Sequence, residues 1–204
     1  MQHAYIIGTG GHGRVIQSII HHKYLSITFI EILYTADYIT NQGIFFDYIA
    51  SLELGDFYIG IGANPIRTKV YNKLKELGIT PSNCISDNAF IAHDANIGNG
   101  VVICHGAIVG SKAIIGNNTI INTLSSVDHD CKLGNNSQVT AGVILGGTTS
   151  IGENCFLGIK SATIPKITIG DNSIIMAGSM VYKDVPKDVM VGGNPARIIK
   201  KLII

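Results

Sequence analysis

Residues 97–134 read IGNGVVICHGAIVGSKAIIGNNTIINTLSSVDHDCKLG, and a branched aliphatic residue returns at every sixth position. The same spacing runs from Ile85 to Val181, where sixteen of the seventeen positions are Ile, Leu or Val and Thr163 is the exception. A helix repeats about every 3.6 residues and an ordinary strand every two, so neither explains a period of six. One inward residue per short strand predicts a parallel β-helix, in which three hexads close each coil and about five coils share a core.

The composition fits a folded protein of a reducing compartment. Of its 204 residues 46% are apolar, and the net charge of +1 gives no general attraction to nucleic acid or to an anionic membrane. No apolar run approaches the ~20 residues that span a bilayer. The cysteines show no C-x-x-C spacing, which favours the cytoplasm, and two of them fall on small packing positions of the hexads. The four are Cys84, Cys104, Cys131 and Cys155, of which the last two are the packing positions.

The first 80 residues do not follow the six-residue spacing of apolar residues. AYIIG, ITFIEIL and DFYIGIG read as buried strands, while GRVIQSIIHHK and NPIRTKVYNKLKELG have apolar residues at helical spacing. This alternation predicts a small βαβ-type, Rossmann-like unit. We therefore predict three regions: an α/β subdomain over 1–80, a parallel β-helix domain over 81–186, and a C-terminal tail over 187–204.

A glycine-rich turn follows the first predicted strand. Gly8, Gly10 and Gly13 satisfy G-x-G-x-x-G, a turn that lets backbone N–H groups at a helix start approach a phosphate. Glu31 lies where a ribose-binding acid would follow, and His12 within the turn is a candidate substrate contact. The unit is too short for a full dinucleotide-binding fold, so a nicotinamide oxidoreductase is not expected. The diphosphate of a nucleotide-sugar fits better.

An acid–base cluster, Asp128, His129 and Asp130, interrupts the repeat. Histidine is suited to act as a general base, and a neighbouring carboxylate can orient the ring and stabilise its protonated form. Sequential residues of a strand point to opposite faces, so Asp130 can help only if a corner turns the two side chains together, and Asp128 is the alternative partner. His93 lies two coils before His129, about 10 Å away, which argues against a metal site built from His93, His105 and His129.

The chain resembles the NeuD/PglD-like family, which includes sialic-acid O-acetyltransferases and UDP-4-amino-sugar N-acetyltransferases. The resemblance covers nearly the whole chain, and its most specific pieces are GTGGHG, IGIGANPIR, INTLSSVDHDC and ENCFLGIKSATIP. It implies a left-handed parallel β-helix, a homotrimer with active sites between subunits, and acetyl-CoA as the acetyl donor with no metal. No cysteine or serine stands out as a covalent nucleophile, which favours direct transfer.

The resemblance also implies roles for individual residues. His129 would be the general base and Asp130 the carboxylate that raises its basicity. Relatives have a second histidine where this chain has Gln138, whose amide can donate a hydrogen bond but cannot titrate. The implied nucleotide-sugar contacts are Gly10, Gly11, His12, Glu31 and Gly62, and the implied acetyl-CoA contacts are Gln138, Gly158, Ile159 and Ala177.

The expected activity is transfer of acetyl from acetyl-CoA to the amino group of a UDP-linked 4-amino-dideoxy sugar in bacterial surface glycan biosynthesis. O-acetylation of a sialic-acid-like sugar is the alternative within the same class, because a hydroxyl acceptor also needs a base. A non-catalytic nucleotide-sugar-binding protein is the alternative from another class.

Overall fold

The computed structural model describes residues 3–31 and 42–203. They form two compact units, and the division between them falls between Asn83 and Cys84. Each unit has its own hydrophobic core.

The first unit is a three-stranded parallel sheet with helices. Its strands are β1 (His3–Ile7), β2 (Ser26–Ile30) and β3 (Asp56–Ile59), in the order β2-β1-β3, and its helices are α1 (Gly11–Ile20), α2 (Gln42–Ala50) and α3 (Asn64–Glu76). The three predicted strands and both predicted helices are present. The first strand is shifted by one residue and the other elements are shorter than predicted, although the end of the predicted second strand, beyond Glu31, lies outside the described residues. Helix α2 was not predicted, because its sequence QGIFFDYIA is apolar with no helical period.

The strand order places two loops beside each other. The chain moves from β1 out to β2 on one side and to β3 on the other, so the loops after β1 and β3 share one edge of the sheet. Gly60 donates its backbone N–H to Ile7 at 2.8 Å, and a Cβ built on Gly13 would lie only 2.1 Å from the carbonyl oxygen of Gly8. Glycine at these positions therefore allows α1 and the two loops to pack closely.

The second unit is a left-handed parallel β-helix of about six coils. Seventeen two-residue strands, β4 to β20, follow one another at six-residue spacing. They are Cys84–Ile85, Phe90–Ile91, Asn96–Ile97, Val102–Ile103, Ile108–Val109, Ile114–Ile115, Ile120–Ile121, Ser126–Val127, Lys132–Leu133, Gln138–Val139, Ile144–Leu145, Ser150–Ile151, Phe156–Leu157, Ala162–Thr163, Thr168–Ile169, Ile174–Ile175 and Met180–Val181. The second residue of each strand points inward, and the predicted hexad positions form the core.

Three sheets form the faces of the β-helix. The first face contains β4, β7, β10, β13, β16 and β19, the second β5, β8, β11, β14, β17 and β20, and the third β6, β9, β12, β15 and β18. We call the turns from the first to the second face the first corner, those from the second to the third face the second corner, and those from the third back to the first the third corner. Every strand pairs in parallel with the strand 18 residues away, which fixes this register.

The backbone at all three corners repeats with the period of the sequence. The third residue of each turn is left-handed at every sixth position from Gly100 to Gly178, with φ between 55° and 68°. Most residues there are glycine, asparagine or lysine, and Asp130 is one of the two aspartates among the left-handed residues. Glycine, asparagine and aspartate tolerate this conformation best.

A short antiparallel hairpin closes the end of the β-helix. Strand β21 (Val189–Gly193) continues the first face beside β19, and β22 (Ala196–Lys201) pairs antiparallel with β21. Most of the region predicted as a tail is therefore ordered strand. None of the helices within the described residues is long and apolar enough to cross a membrane.

Candidate active site

His129 and Asp130 meet at the second corner, directly after β11. The Nδ1 atom of His129 lies 2.8 Å from Oδ2 of Asp130, and the two side chains are 57% and 50% exposed. The left-handed φ of 57° at Asp130 breaks the alternation of a strand and turns the two side chains to the same side. Asp128 instead accepts the backbone N–H of His129 at 2.7 Å. The structure thus answers which aspartate bonds the imidazole: it is Asp130.

This hydrogen bond decides which ring nitrogen can act as a base. A carboxylate only accepts hydrogen bonds, so Nδ1 must carry the proton and Nε2 keeps its lone pair. The hydrogen bond to Asp130, followed by the negative charge of Asp128, raises the pKa of His129 above its usual value. The result is an exposed imidazole with increased basicity and a defined tautomer.

The coils on either side hold the corner in place. Thr148, one coil above, donates its backbone N–H to the carbonyl oxygen of His129 at 2.8 Å. Asp130 donates its backbone N–H to the carbonyl oxygen of Ser111, one coil below, at 2.9 Å. A Cβ built on Gly147 would lie 2.5 Å from Nε2 of His129. The imidazole therefore lies against Gly147 in a space that any side chain would fill. Gly147 was not predicted as a site residue, although its position 18 residues after His129 was the available signal.

A second His-Asp sequence occupies the same corner two coils below but is arranged differently. The carboxylate of Asp94 accepts the Ser111 hydroxyl at 2.8 Å and the Lys112 backbone N–H at 3.3 Å. The Ser111 bond is the main cause of the lowered pKa of Asp94. Within the described residues, no His93–Asp94 hydrogen bond matches the one at His129. Sequence alone therefore does not make the pair: Asp94 lacks the left-handed φ of Asp130, and the neighbouring coil takes its carboxylate.

The residues implied as acetyl-CoA contacts lie elsewhere on the β-helix. Gly158, Ile159 and Ala177 occupy the first corner, where Ile159 accepts the backbone N–H of Gly178 at 2.8 Å. Gln138 begins β13 on the first face and is only 8% exposed. One chain therefore does not bring these residues together with His129, which lies at the second corner.

A cavity of about 260 Å³ opens where the second corner ends. Its lining includes Lys183, Asp184 and Arg197, with apolar groups from Val185 and Pro186. Lys183 follows His129 by 54 residues, which is three coils, or about 14 Å along the β-helix. The cavity thus lies on the same corner as the His129–Asp130 pair.

The residues implied as nucleotide-sugar contacts gather in the first unit. Gly10 and Gly11 end the loop after β1, and Gly62 follows β3, so the strand order brings them to one edge of the sheet. A Cβ built on any of the three would meet nothing within 4 Å, which leaves their backbone open to a ligand. Gly10 caps α1 without a side-chain hydrogen bond, and Glu31 is exposed at the end of β2.

His12 and Arg67 lie beneath these loops. Arg67 is 1% exposed and donates to the Gly62 carbonyl at 3.0 Å and to Oδ1 of Asn64 at 2.9 Å. Burial lowers the pKa of Arg67 to about 10, so the side chain stays charged. Burial and this charge lower the pKa of His12 to about 4, so His12 is neutral at pH 7. Arg67 was not predicted as a site residue, because a cation in a helical pattern usually lies on the solvent-facing side.

No group of three or more side chains that could hold a metal ion occurs among residues 3–31 and 42–203. All four cysteines are free and buried. Burial raises the pKa of Cys104 and of Cys155 to about 11, so neither thiol ionises near neutral pH.

Two family models match this chain. The PglD N-terminal domain matches residues 3–74, and the hexapeptide repeat of succinyl-transferase matches residues 87–123 and 148–183. The first corresponds to the α/β unit and the second to the β-helix.

Solved structures match over nearly the full length. The acetyltransferase domain of PglB from Neisseria gonorrhoeae FA1090, in complex with acetyl coenzyme A, is 27% identical with a TM-score of 0.88, over 97% of this chain and 99% of that one. PerB from Caulobacter crescentus, in complex with CoA and GDP-perosamine, is 29% identical with a TM-score of 0.83, over 98% of both chains. WeeI from Acinetobacter baumannii AYE, at 24% identity and a TM-score of 0.84 over 98% of this chain and 100% of that one, shares the fold.

Proposed function

We propose that this chain, which belongs to the NeuD/PglD-like family of hexapeptide-repeat sugar acetyltransferases, transfers acetyl from acetyl-CoA to the amino group of a nucleotide-linked amino sugar. The observation that carries the proposal is the hydrogen-bonded pair of His129 and Asp130. The PglB structure with acetyl coenzyme A and the PerB structure with CoA and GDP-perosamine support the two substrates.

The chemistry follows from the tautomer of His129. An ammonium group cannot attack a thioester, so Nε2 first takes a proton from the acceptor nitrogen. The free amine then attacks the acetyl carbonyl, and the tetrahedral intermediate collapses with the CoA sulfur as the leaving group. Asp130 stabilises the imidazolium formed on the way. The nitrogen has a second proton to lose as it bonds to the acetyl carbon. The ring releases the first proton to solvent, takes the second at Nε2 and passes it to the departing thiolate, which returns the ring to its starting state.

We assign the nucleotide-sugar to the first unit. Open backbone at Gly10, Gly11 and Gly62 and the start of α1 offer N–H groups to a diphosphate. His12 and Glu31 are the proposed contacts to the rest of the nucleotide-sugar. Neutral His12 can donate or accept a hydrogen bond without bringing a charge. Uridine as the base and a 4-amino-dideoxy sugar are the finer parts of the proposal.

A homotrimer would complete the site. The second face lies between the first and second corners, and its outward residues Phe90, Ile108 and Ile144 are between 45% and 62% exposed. Apolar residues aligned on a flat sheet are typical of a face that packs against another copy. If three second faces surround one axis, the second corner of each copy meets the first corner of its neighbour. His129 would then face the neighbour's Gly158, Ile159 and Ala177, which a single chain keeps apart.

The CoA moiety would lie along this junction. We propose backbone contacts from Gly158, Ile159 and Ala177, and an amide contact from Gln138. The cavity with Lys183 and Arg197 offers positive charge for the phosphate groups at the far end of CoA. The four free cysteines are consistent with the reducing cytoplasm, where we place the reaction.

The test is thiol release from acetyl-CoA with a panel of acceptors. The panel contains UDP-linked and GDP-linked 4-amino-dideoxy sugars, CMP-linked and free sialic acids, and simple amines, each with wild type and with His129→Ala. Turnover on a nucleotide-linked amino sugar that the substitution abolishes supports the proposal. Turnover only on a sialic acid would make the protein an O-acetyltransferase. Binding of a nucleotide-sugar without turnover on any acceptor would indicate a binding protein instead.

A further inference from the structure

Thr148 has a backbone conformation that its side chain disfavours. Its φ is 63°, in the left-handed region, and it is the β-branched member of the non-glycine residues with positive φ in the described ranges. A side chain branched at Cβ is a true outlier there, and glycine, asparagine or aspartate would fit with less strain. Strained residues of this kind concentrate at functional sites, so the position calls for an explanation.

The position of Thr148 provides one. It follows His129 by 19 residues and Asp130 by 18, so it lies one coil above the pair, about 4.8 Å along the β-helix from Asp130. Its backbone N–H donates to the His129 carbonyl at 2.8 Å, and its preceding residue, Gly147, is the one against which Nε2 of His129 lies. Thr148 is therefore an exposed side chain that directly follows the glycine in contact with the nitrogen that takes the proton.

We propose that Thr148 contacts the acceptor sugar and helps to position its amino group, an inference that rests on the proposed acetyl transfer. The acceptor nitrogen must come within hydrogen-bond distance of Nε2, and Nε2 lies against the segment that carries Thr148. The hydroxyl can donate and accept, so it suits the amino group or a ring hydroxyl next to it. The strain at Thr148 is retained because this hydroxyl is needed where it is.

Three substitutions separate the hydroxyl from the strain. Thr148→Val keeps the shape and the strain but removes the hydroxyl, and we expect KM for the amino sugar to rise about tenfold, the loss of one hydrogen bond. Thr148→Ser keeps the hydroxyl and should stay close to wild type. Thr148→Asn relieves the strain, so Tm should rise by about 2–4 °C while KM for the amino sugar still rises. KM for acetyl-CoA should not change in any of them.

The matched control is Lys166→Asn. Lys166 occupies the same left-handed position one coil above, with φ of 65°. The control should gain stability as Thr148→Asn does and keep wild-type kinetics. A gain in stability together with a loss of acceptor affinity at residue 148 alone is the result that a purely structural role cannot give.

The decisive measurements are steady-state kinetics in both substrates and calorimetric binding of a UDP-4-amino-dideoxy sugar. An unchanged acceptor affinity in Thr148→Val would overturn the inference, and so would a rise in KM confined to acetyl-CoA, or a loss in Thr148→Ser as large as in Thr148→Val. Failure of the acetyl-transfer proposal is distinct, because wild type would then show no turnover. In that case the calorimetric comparison of wild type with Thr148→Val still decides the role of Thr148.

Discussion

The second and third corners of the β-helix share one backbone and differ in where their polar side chains bond. At the third corner the bonds run from coil to coil: Asn118 donates to Asn136, Asn154 to Asn172, and Asn172 to Asp188, at 2.8 to 3.1 Å. At the second corner Asp130 bonds the adjacent His129 within its own turn. The third corner uses these side chains to join coils, as Asp94 does lower on the second corner, whereas at Asp130 the bond orients a basic imidazole.

The comparison separates stability from chemistry on one scaffold. A left-handed turn residue is required at both corners, and asparagine or aspartate meets that requirement at either. What the side chain bonds decides its use: another coil at the third corner and at Asp94, an imidazole at Asp130. Substitutions at the two corners should therefore affect different measurements.

The largest expected effect is on turnover at the second corner. His129→Ala removes the general base, so kcat for the amino sugar should fall about 10²–10⁴-fold. The control is His93→Ala, an exposed histidine at the same corner two coils below, which should keep wild-type turnover and a wild-type Tm. If both variants kept turnover, the base would lie elsewhere, and the second corner would have no more of a catalytic role than the third.

Gly147→Ala tests whether the imidazole must lie where it does. The new Cβ would collide with Nε2 of His129, and since a displacement of about 1 Å can cost ~10² in rate, we expect a loss of that order in kcat. The backbone of Gly147 is outside the left-handed region, so alanine adds no backbone strain and Tm should change little.

The control for Gly147→Ala is a glycine whose substitution should lower stability and leave kcat unchanged. Gly142→Ala places a methyl group at a φ of 68°, at the first corner, where its Cβ would lie 3.4 Å from a flexible Lys160 side chain. That variant should lose stability rather than rate. Equal loss of stability in both variants, with unchanged kcat in Gly147→Ala, would contradict the steric explanation.

Asp130→Asn should move the pH profile of kcat/KM. In the wild type the bond to Asp130 is the main cause of the raised pKa of His129, and only the neutral imidazole is a base. Activity therefore falls as the pH drops through that pKa, and loss of the carboxylate should shift this acid limb to lower pH. Asparagine keeps the left-handed backbone, so the fold should be unaffected. Profiles measured from pH 5 to 9 check the direction, and a shift to higher pH would be the opposite of the expectation.

The smallest effect concerns the third corner. Asn154→Ala removes the bond to Asn172 and leaves alanine in a left-handed turn, which together should lower the free energy of unfolding by about 2 kcal/mol. Asn154→Gly removes only the bond and should cost about 1 kcal/mol. Denaturant titration measures both, and kcat should equal that of wild type. A loss of kcat without a loss of stability would remove the distinction between the corners.

Much of this architecture could be predicted from the sequence. The six-residue period predicts the β-helix and its inward residues, because the aliphatic side chain that recurs once in each short strand is buried in the interior of the β-helix. Counting in steps of 18 would also have placed Gly158 and Ala177 at a corner other than that of His129. The bond between His129 and Asp130 was expected from the resemblance, but the residues alone do not predict it, because His93 and Asp94 repeat the same two residues at the same corner and remain unbonded to each other. The difference lies in the backbone and in the neighbouring coil: Asp130 is left-handed whereas Asp94 is not, and the carboxylate of Asp94 accepts from Ser111 and Lys112.

The first unit was less predictable. Its strands are short apolar runs that periodicity detects, but α2 has no polar face to mark it. The role of Arg67 depends on burial under the loop at Gly62, which sequence periodicity does not report.

The hairpin that ends the β-helix has a consequence for assembly. A β-helix of identical coils has no intrinsic last turn, because the open edge of one coil can accept another chain and grow into a filament. Strand β22 runs antiparallel across that edge and presents exposed Lys200 and Lys201 next to it. Because β22 is antiparallel, it does not continue the parallel repeat. The positive charges of Lys200 and Lys201 would also repel those of a second molecule stacked end to end. The hairpin thus limits the length of a fold that could otherwise extend by adding further coils or further molecules.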